Sequence, residues 1–177
     1  MASFSGPCSA CAGPTDFDKS ISCCNNAQVY ACAGIGPNPL IDLANAQLAG
    51  IVNGTSCLIG APGGNPRIGI DTIDFGGYPA SPIELRAGSG PHNGNFVTTS
   101  GQIVTMPIID TTALLSLLTG PKVVGFMQAF VVSVDTTDGG IQGYILNISG
   151  CGTNINTAAA PVSGGGVSPV PVRLIHP

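Results

Sequence analysis

The longest readable pattern in the chain is Lys122 to Gly150, KVVGFMQAFVVSVDTTDGGIQGYILNISG. Between Val123 and Val134, apolar residues occupy odd positions (Val123, Met127, Val131) and even ones (Val124, Phe126, Phe130, Val132). Such a run predicts a strand buried on both faces. DTTDGG at 135–140 carries turn chemistry: Asp138 tolerates unusual backbone angles, and Gly139 and Gly140 take positive φ without steric cost. The chain returns as Ile141 to Ser149. Strict alternation there puts Tyr144, Leu146 and Ile148 on one face, and Gly143, Ile145, Asn147 and Ser149 on the other. The stretch predicts a long hairpin with one central arm and one half-covered arm.

Shorter runs of the same texture precede it: RIGIDTIDF at 67–75, IELRA at 83–87, FVTTS at 96–100 and QIVTMPIID at 102–110. The turn-rich segments GGYPASP and GSGPHNGN separate them, with no helical pattern between. Regular short strands of this kind predict a mainly β fold, an antiparallel β-sandwich of jelly-roll or Ig-like type. One short helix is expected. Asn38 is its cap, Pro39 its first position and Asp42 an acid in its first turn, with Leu40, Leu43, Ala44 and Leu48 at helical spacing. Gly50 or Asn53-Gly54 is expected to end it. ALLSLL at 113–118 is too short to assign.

The final run, VSPVPVRLI at 167–175, predicts an edge strand. Pro169 and Pro171 remove two N–H groups from the same edge, while Val170, Val172 and Leu174 share one apolar face. Such a strand pairs on one side. Its prolines either guard an open edge, or it adds to the sheet of a neighbouring subunit after the Gly-rich spacer TAAAPVSGGG.

Composition narrows the function classes. Charged residues are 8% of 177, apolar residues 44%, and there are 26 Gly and 15 Pro. A chain with this apolar content folds, and its surface must be built from small polar and apolar groups with little charge to hold copies apart. A formal net charge of -4 with five scattered Lys and Arg leaves nothing to neutralise a phosphate backbone, so nucleic acid is not expected as a partner. No stretch is long and apolar enough for a membrane span, and MASFSGPCSACAG lacks the basic region and apolar core of a signal peptide.

The seven cysteines are Cys8, Cys11, Cys23, Cys24, Cys32, Cys57 and Cys151. In so uncharged a chain they predict disulfides formed in an oxidising compartment, with one cysteine left over or bridging two chains. Residues 1–36 form a cysteine-rich arm with few large apolar residues, stapled onto a domain at 37–177. Cys151 then ties the hairpin to the N-terminal third, and Cys57 is its expected partner. Cys8 and Cys11 form a CxxC, but the adjacent Cys23 and Cys24 make a poor second pair for zinc.

Catalytic signatures are absent: no GxSxG, Walker loop, GxGxxG or HExxH occurs. His92 lies in a Gly/Pro/Asn loop and His176 is next to the last residue, neither near evident triad partners. Asp71 and Asp74 fall on opposite faces of one expected strand. Asp135 and Asp138 are weak candidates for a loop-bound calcium, without EF-hand spacing. No enzyme activity, cofactor or metal is expected.

Four phrases together carry a resemblance: RIGIDTIDFGGYPASPIELRAGSG, SGQIVTMPIID, VVGFMQAFVVSVDTTDGGIQGYILNISGCG and VSGGGVSPVPVRLIHP. Over residues 35–177 the chain resembles the extracytoplasmic part of bacterial TadE/TadG-like proteins, which are associated with tight-adherence (Flp) pilus assembly. That family usually opens with an apolar membrane helix, where this chain has the cysteine-rich arm. The resemblance implies an extracellular or cell-surface, non-enzymatic role near an adhesive structure. The expectation is a structural protein of a pilus or other filament, partnered by copies of itself and by other pilus components. A secreted binding module, recognising a surface or carbohydrate through its Gly/Pro-rich loops, is the alternative. Three Tyr, six Phe and no Trp give it few rings for sugar stacking.

Overall fold

The computed structural model describes residues 15–23, 30–32, 47–61, 63–76, 83–110 and 122–151. Among the described residues, two helices, α1 (Asp16–Ser22) and α2 (Leu48–Leu58), precede seven strands. These are β1 (Arg67–Ile68), β2 (Thr72–Asp74), β3 (Glu84–Arg86), β4 (Phe96–Val97), β5 (Ile103–Ile109), β6 (Val123–Val134) and β7 (Ile141–Gly150), with a 3-10 turn at Gly90–His92. All strand pairings are antiparallel, as the sequence predicts for a mainly β chain.

The predicted hairpin is β6 and β7, and β6 is the central strand of the larger sheet. β7 runs along one edge of β6. Along the other edge, β5 pairs residues 123–130 and β1 pairs Ser133 and Val134. The expected strand at 67–75 is thus two strands, β1 and β2, broken at Gly69–Asp71 where the chain leaves β6 for the smaller sheet β2-β3-β4.

Opposed residues of an antiparallel pair point to the same side, so the register defines the two faces. Met106–Met127–Ile148 and Val104–Ala129–Ile145 are successive rows across β5, β6 and β7 on one face. Ile103–Phe130–Tyr144 is a row on the other. The pairing skips Leu146 on β7 and Val132 on β6, a bulge in each strand. The Leu146 bulge corrects strict alternation: Ile145 and Ile148 share a face, and Tyr144 lies opposite with Asn147. The Val132 bulge likewise sets Val131 and Val134 on one side, where both are buried.

That side is covered by α2. Val52 and Ile59 pack on Val131 and Val134, with Leu58, Ala61 and Val104 around them. The layer against this part of the sheet is a helix, made where the sequence pattern suggested a helix end. α2 begins at Leu48 and carries Gly50, Asn53 and Gly54 in its interior. The reason is tertiary. Gly50 and Gly54, one turn apart, face α1 so closely that a Cβ would come within 2.6 Å of the Phe17 ring at the first and 2.8 Å of Ile21 Cβ at the second. Bare backbone at both positions lets the helices touch, which repays the weak helix propensity of glycine.

α1 arises in the arm where no element was expected. Thr15 and Asp18 form a capping box: Thr15 Oγ1 accepts from Asp18 N at 3.1 Å, and the Asp18 carboxylate accepts from Thr15 N at 3.2 Å. The arm therefore packs on the domain through α1 against α2. The expected helix start at Asn38-Pro39, the ALLSLL run and the boundary near residue 36 lie outside the described residues.

Replacing Gly54 by Ala should lower stability by about 1–3 kcal/mol, the usual cost of overpacking, even though Ala is the better helix former. Chemical denaturation measures it, with the exposed Asn53→Ala as the control expected to be neutral or slightly stabilising.

Candidate functional site

The end of β6 away from the hairpin turn is tied to the N-terminal arm. Cys32 bridges alongside Val123, and Cys151 N donates to Val124 O at 2.8 Å. Both cysteines thus arrive at one end of β6, where they form a disulfide with a Cα separation of 5.6 Å across 119 residues of sequence. Cys57 was the expected partner of Cys151. It sits instead on α2, which packs near Val131 and Val134 toward the opposite end of β6. Cys23 and Cys57 are disulfide-bonded as well. Nearby Tyr30 is partly buried, which pushes its hydroxyl above the ordinary tyrosine range.

At the turn end, the calcium candidates Asp135 and Asp138 cap their own loop. Asp135 Oδ1 accepts from Thr137 N at 2.6 Å, and Asp138 Oδ1 accepts from Gly140 N at 2.7 Å. Gly139 holds φ at 75°. Asn65 braces the loop from outside, accepting from Thr136 N at 3.1 Å and donating to Thr137 Oγ1 at 3.3 Å. The Thr137 backbone N–H, followed by its hydroxyl, holds the Asp135 carboxyl below the usual carboxylate range. Among the described residues no three His, Cys, Asp or Glu side chains converge as metal ligands.

Asp71 and Asp74 do not share a strand. Asp74, at the end of β2, accepts from Gly76 N at 2.8 Å. Asp71 precedes β2 and accepts from Ser100 Oγ at 2.6 Å and Gly88 N at 2.9 Å. Ser100 Oγ in turn accepts from Gln102 N at 3.1 Å. The Gln102 side chain, 2% exposed, accepts from Asp71 N and donates to Val131 O at 2.8 Å. It fills the place where β5 gives way to β1 along the edge of β6. This chain of bonds clamps the smaller sheet to the larger, with its acceptors already occupied. His92 lies exposed in the 3-10 turn.

The remaining feature is apolar. On β7, Ile141, Ile145 and Ile148 are 55%, 61% and 57% exposed, on the face that α2 covers farther along β6. Met106 of β5 is exposed in the same row as Ile148, with half-buried Met127 between them. The other face is partly dressed: Phe75 meets the Tyr144 ring edge-on at 4.7 Å. β5, β6 and β7 contain no Asp, Glu, Lys or Arg. The nearest charges at one end are Lys122 and Asp110, paired at 3.6 Å.

Of the residues singled out in the sequence, Cys32 and Cys151 are brought together, while Asp135 and Asp138 serve the turn. The proposed assembly strand, Val170, Val172 and Leu174, lies outside the described residues, as do Cys8, Cys11, Cys24 and His176. Sequence reasoning missed Ser100, Gln102 and Asn65, which look like ordinary loop polar residues. It missed the exposed isoleucine row because the bulge at Leu146 is invisible to alternation. The Thr15–Asp18 spacing was a usable signal for α1. Among the described residues, no helix is long and apolar enough to cross a membrane. No protein-family model, curated protein or solved structure matches this chain.

Two outcomes are expected. Replacing Cys32 and Cys151 together by Ser should cost about 2–5 kcal/mol in chemical denaturation, since the bond closes a long loop. For Asp135 the folded-state pKa lies below the unfolded value of about 3.9. Its contribution is therefore present above that pH and is lost as pH falls through the folded pKa. NMR titration of the Asp135 carboxyl should give a midpoint below the peptide value, and Asp135→Asn should flatten the acid limb of the stability profile.

Proposed function

We propose that this chain is an exported, non-enzymatic structural protein, a subunit or accessory component of a pilus or other extracellular filament that self-assembles. The observation that carries this reading is β7, an uncharged strand with its isoleucines in solvent. Natural edge strands are commonly guarded by charge or proline. β7 has neither, and among the described residues its one guard is the Leu146 bulge. Contiguous apolar surface of this kind marks an interaction site.

The disulfides support an oxidising, extracellular setting: Cys23, Cys32, Cys57 and Cys151, all the described cysteines, are bonded. The low charge of the whole chain favours close packing of copies. The likeness to TadE/TadG-like phrases supports a place near a surface filament, with other pilus components as further partners.

A secreted binding module is the second reading. Its support is Phe96, exposed beside the 88–95 loop with the Arg86 guanidinium 4.0 Å from its ring centre. With the Arg86 charge balanced by Glu84 at 3.9 Å, that pair offers a flat aromatic contact for a ligand.

Negative-stain electron microscopy of the purified native material should show filaments or a regular array. A monodisperse monomer at high concentration would overturn the assembly reading in favour of the binding module.

A further inference from the structure

We infer that the sheet face bearing Met106, Met127, Ile145 and Ile148 is an interface that packs against the same face of a second copy of this chain; this rests on the assembly reading above. α2 covers this face beside Val131 and Val134. On the same side the rows Val104–Ala129–Ile145 and Met106–Met127–Ile148 run across all three strands; Val104 packs on the α2 cluster and Ala129 is buried, while Ile145, Ile148 and Met106 are exposed. Ile141, opposite Val134, extends the apolar surface along β7. Among the described residues, the exposed apolar side chains of this face, Ile141, Ile145 and Ile148 of β7 and Met106 of β5, flank a β6 whose residues on this face are buried or half-buried.

A second sheet fits that space. Two sheets stack about 10 Å apart through interdigitating side chains, and Met and Ile alternating across three strands supply such knobs. The sandwich expected from the strand pattern is then completed between chains.

Charge selects the partner. The three strands carry no ionised side chain, so two copies meet there without like-charge repulsion, despite a net charge of -4 on each. At one end of the strands Lys122 and Asp110 cancel as an ion pair; at the other, Asp135 and Asp138 are turned into their own loop as acceptors from Thr137 N and Gly140 N. A lipid surface would call for a basic rim around the apolar patch, and five Lys and Arg in the whole chain do not provide one. Facing patches related by a two-fold axis form a closed pair, so filament growth would use a further contact, and the two are separable.

The test uses the full chain with its disulfides intact. Sedimentation velocity over a concentration series should show the parent associating. The double variant Ile145→Lys/Ile148→Lys, changed at exposed positions, should weaken association by about tenfold or more, with unchanged circular dichroism and an intact Cys32–Cys151 bond by non-reducing peptide mapping. A variant that pairs as tightly as the parent overturns this interface while leaving the filament reading standing. A parent that stays monomeric overturns both. Should the variant fail to fold, a photo-cross-linking residue in place of Ile148 decides: linkage to β5, β6 or β7 of a second copy supports the interface. Linkage elsewhere, to lipid in added anionic vesicles, or to nothing overturns it.

Discussion

The structure depends on β6 having partners along both edges. A strand whose apolar residues point to both faces is stable only when its backbone is satisfied on each side and its side chains are covered above and below. β7 satisfies one edge through a short turn. The other edge is shared by two pieces, β5 and β1, that come from different parts of the chain. The junction between them leaves a gap in the ladder, and Gln102 fills it with its side chain, borrowing Asp71 N and Val131 O as partners. One buried amide thus does for the sheet what a continuous strand would otherwise do, and it carries the smaller sheet with it through Asp71 and Ser100.

The two ends of β6 are secured by different means. At the turn, capping is local and polar: Asp135 and Asp138 hold amides of the loop, and Asn65 holds it from the side. At the far end the fastening is covalent, since Cys32 and Cys151 join beside Val123. The helices enter through a third device, the apposition of Gly50 and Gly54 with α1. These glycines make the N-terminal arm part of the packed domain, because α2 touches the sheet with one side and α1 with another. The arm is held by packing as well as by the Cys32–Cys151 disulfide.

These fastenings leave one part of the sheet without cover. α2 covers Val131 and Val134 and reaches Val104, and the isoleucines of β7 remain in water along with Met106. In a chain of such low charge this is the surface at which we propose that copies meet, which joins the internal architecture to the proposed structural role. Among the described residues, the groups that looked reactive in the sequence are absorbed into architecture: the aspartates into turns and the clamp, and Cys23, Cys32, Cys57 and Cys151 into cross-links.

What the sequence determined by itself was local. The β6–β7 hairpin, its turn, the segments that become β3, β4 and β5, and the disulfide character of the four described cysteines follow from alternation, glycine and aspartate placement, and composition, all of which act over a few residues. Tertiary structure decided the rest. Gly50 and Gly54 belong in a helix only because Phe17, Asp18 and Ile21 press against them. Cys151 meets Cys32 rather than Cys57 because strand pairing delivers them to the same end of β6. The bulge at Leu146 reverses which residues share a face, and so turns Ile145 and Ile148 into one exposed row. Each of these depends on residues far apart in sequence meeting in space, and periodicity along one strand or helix carries no record of the neighbour it will meet.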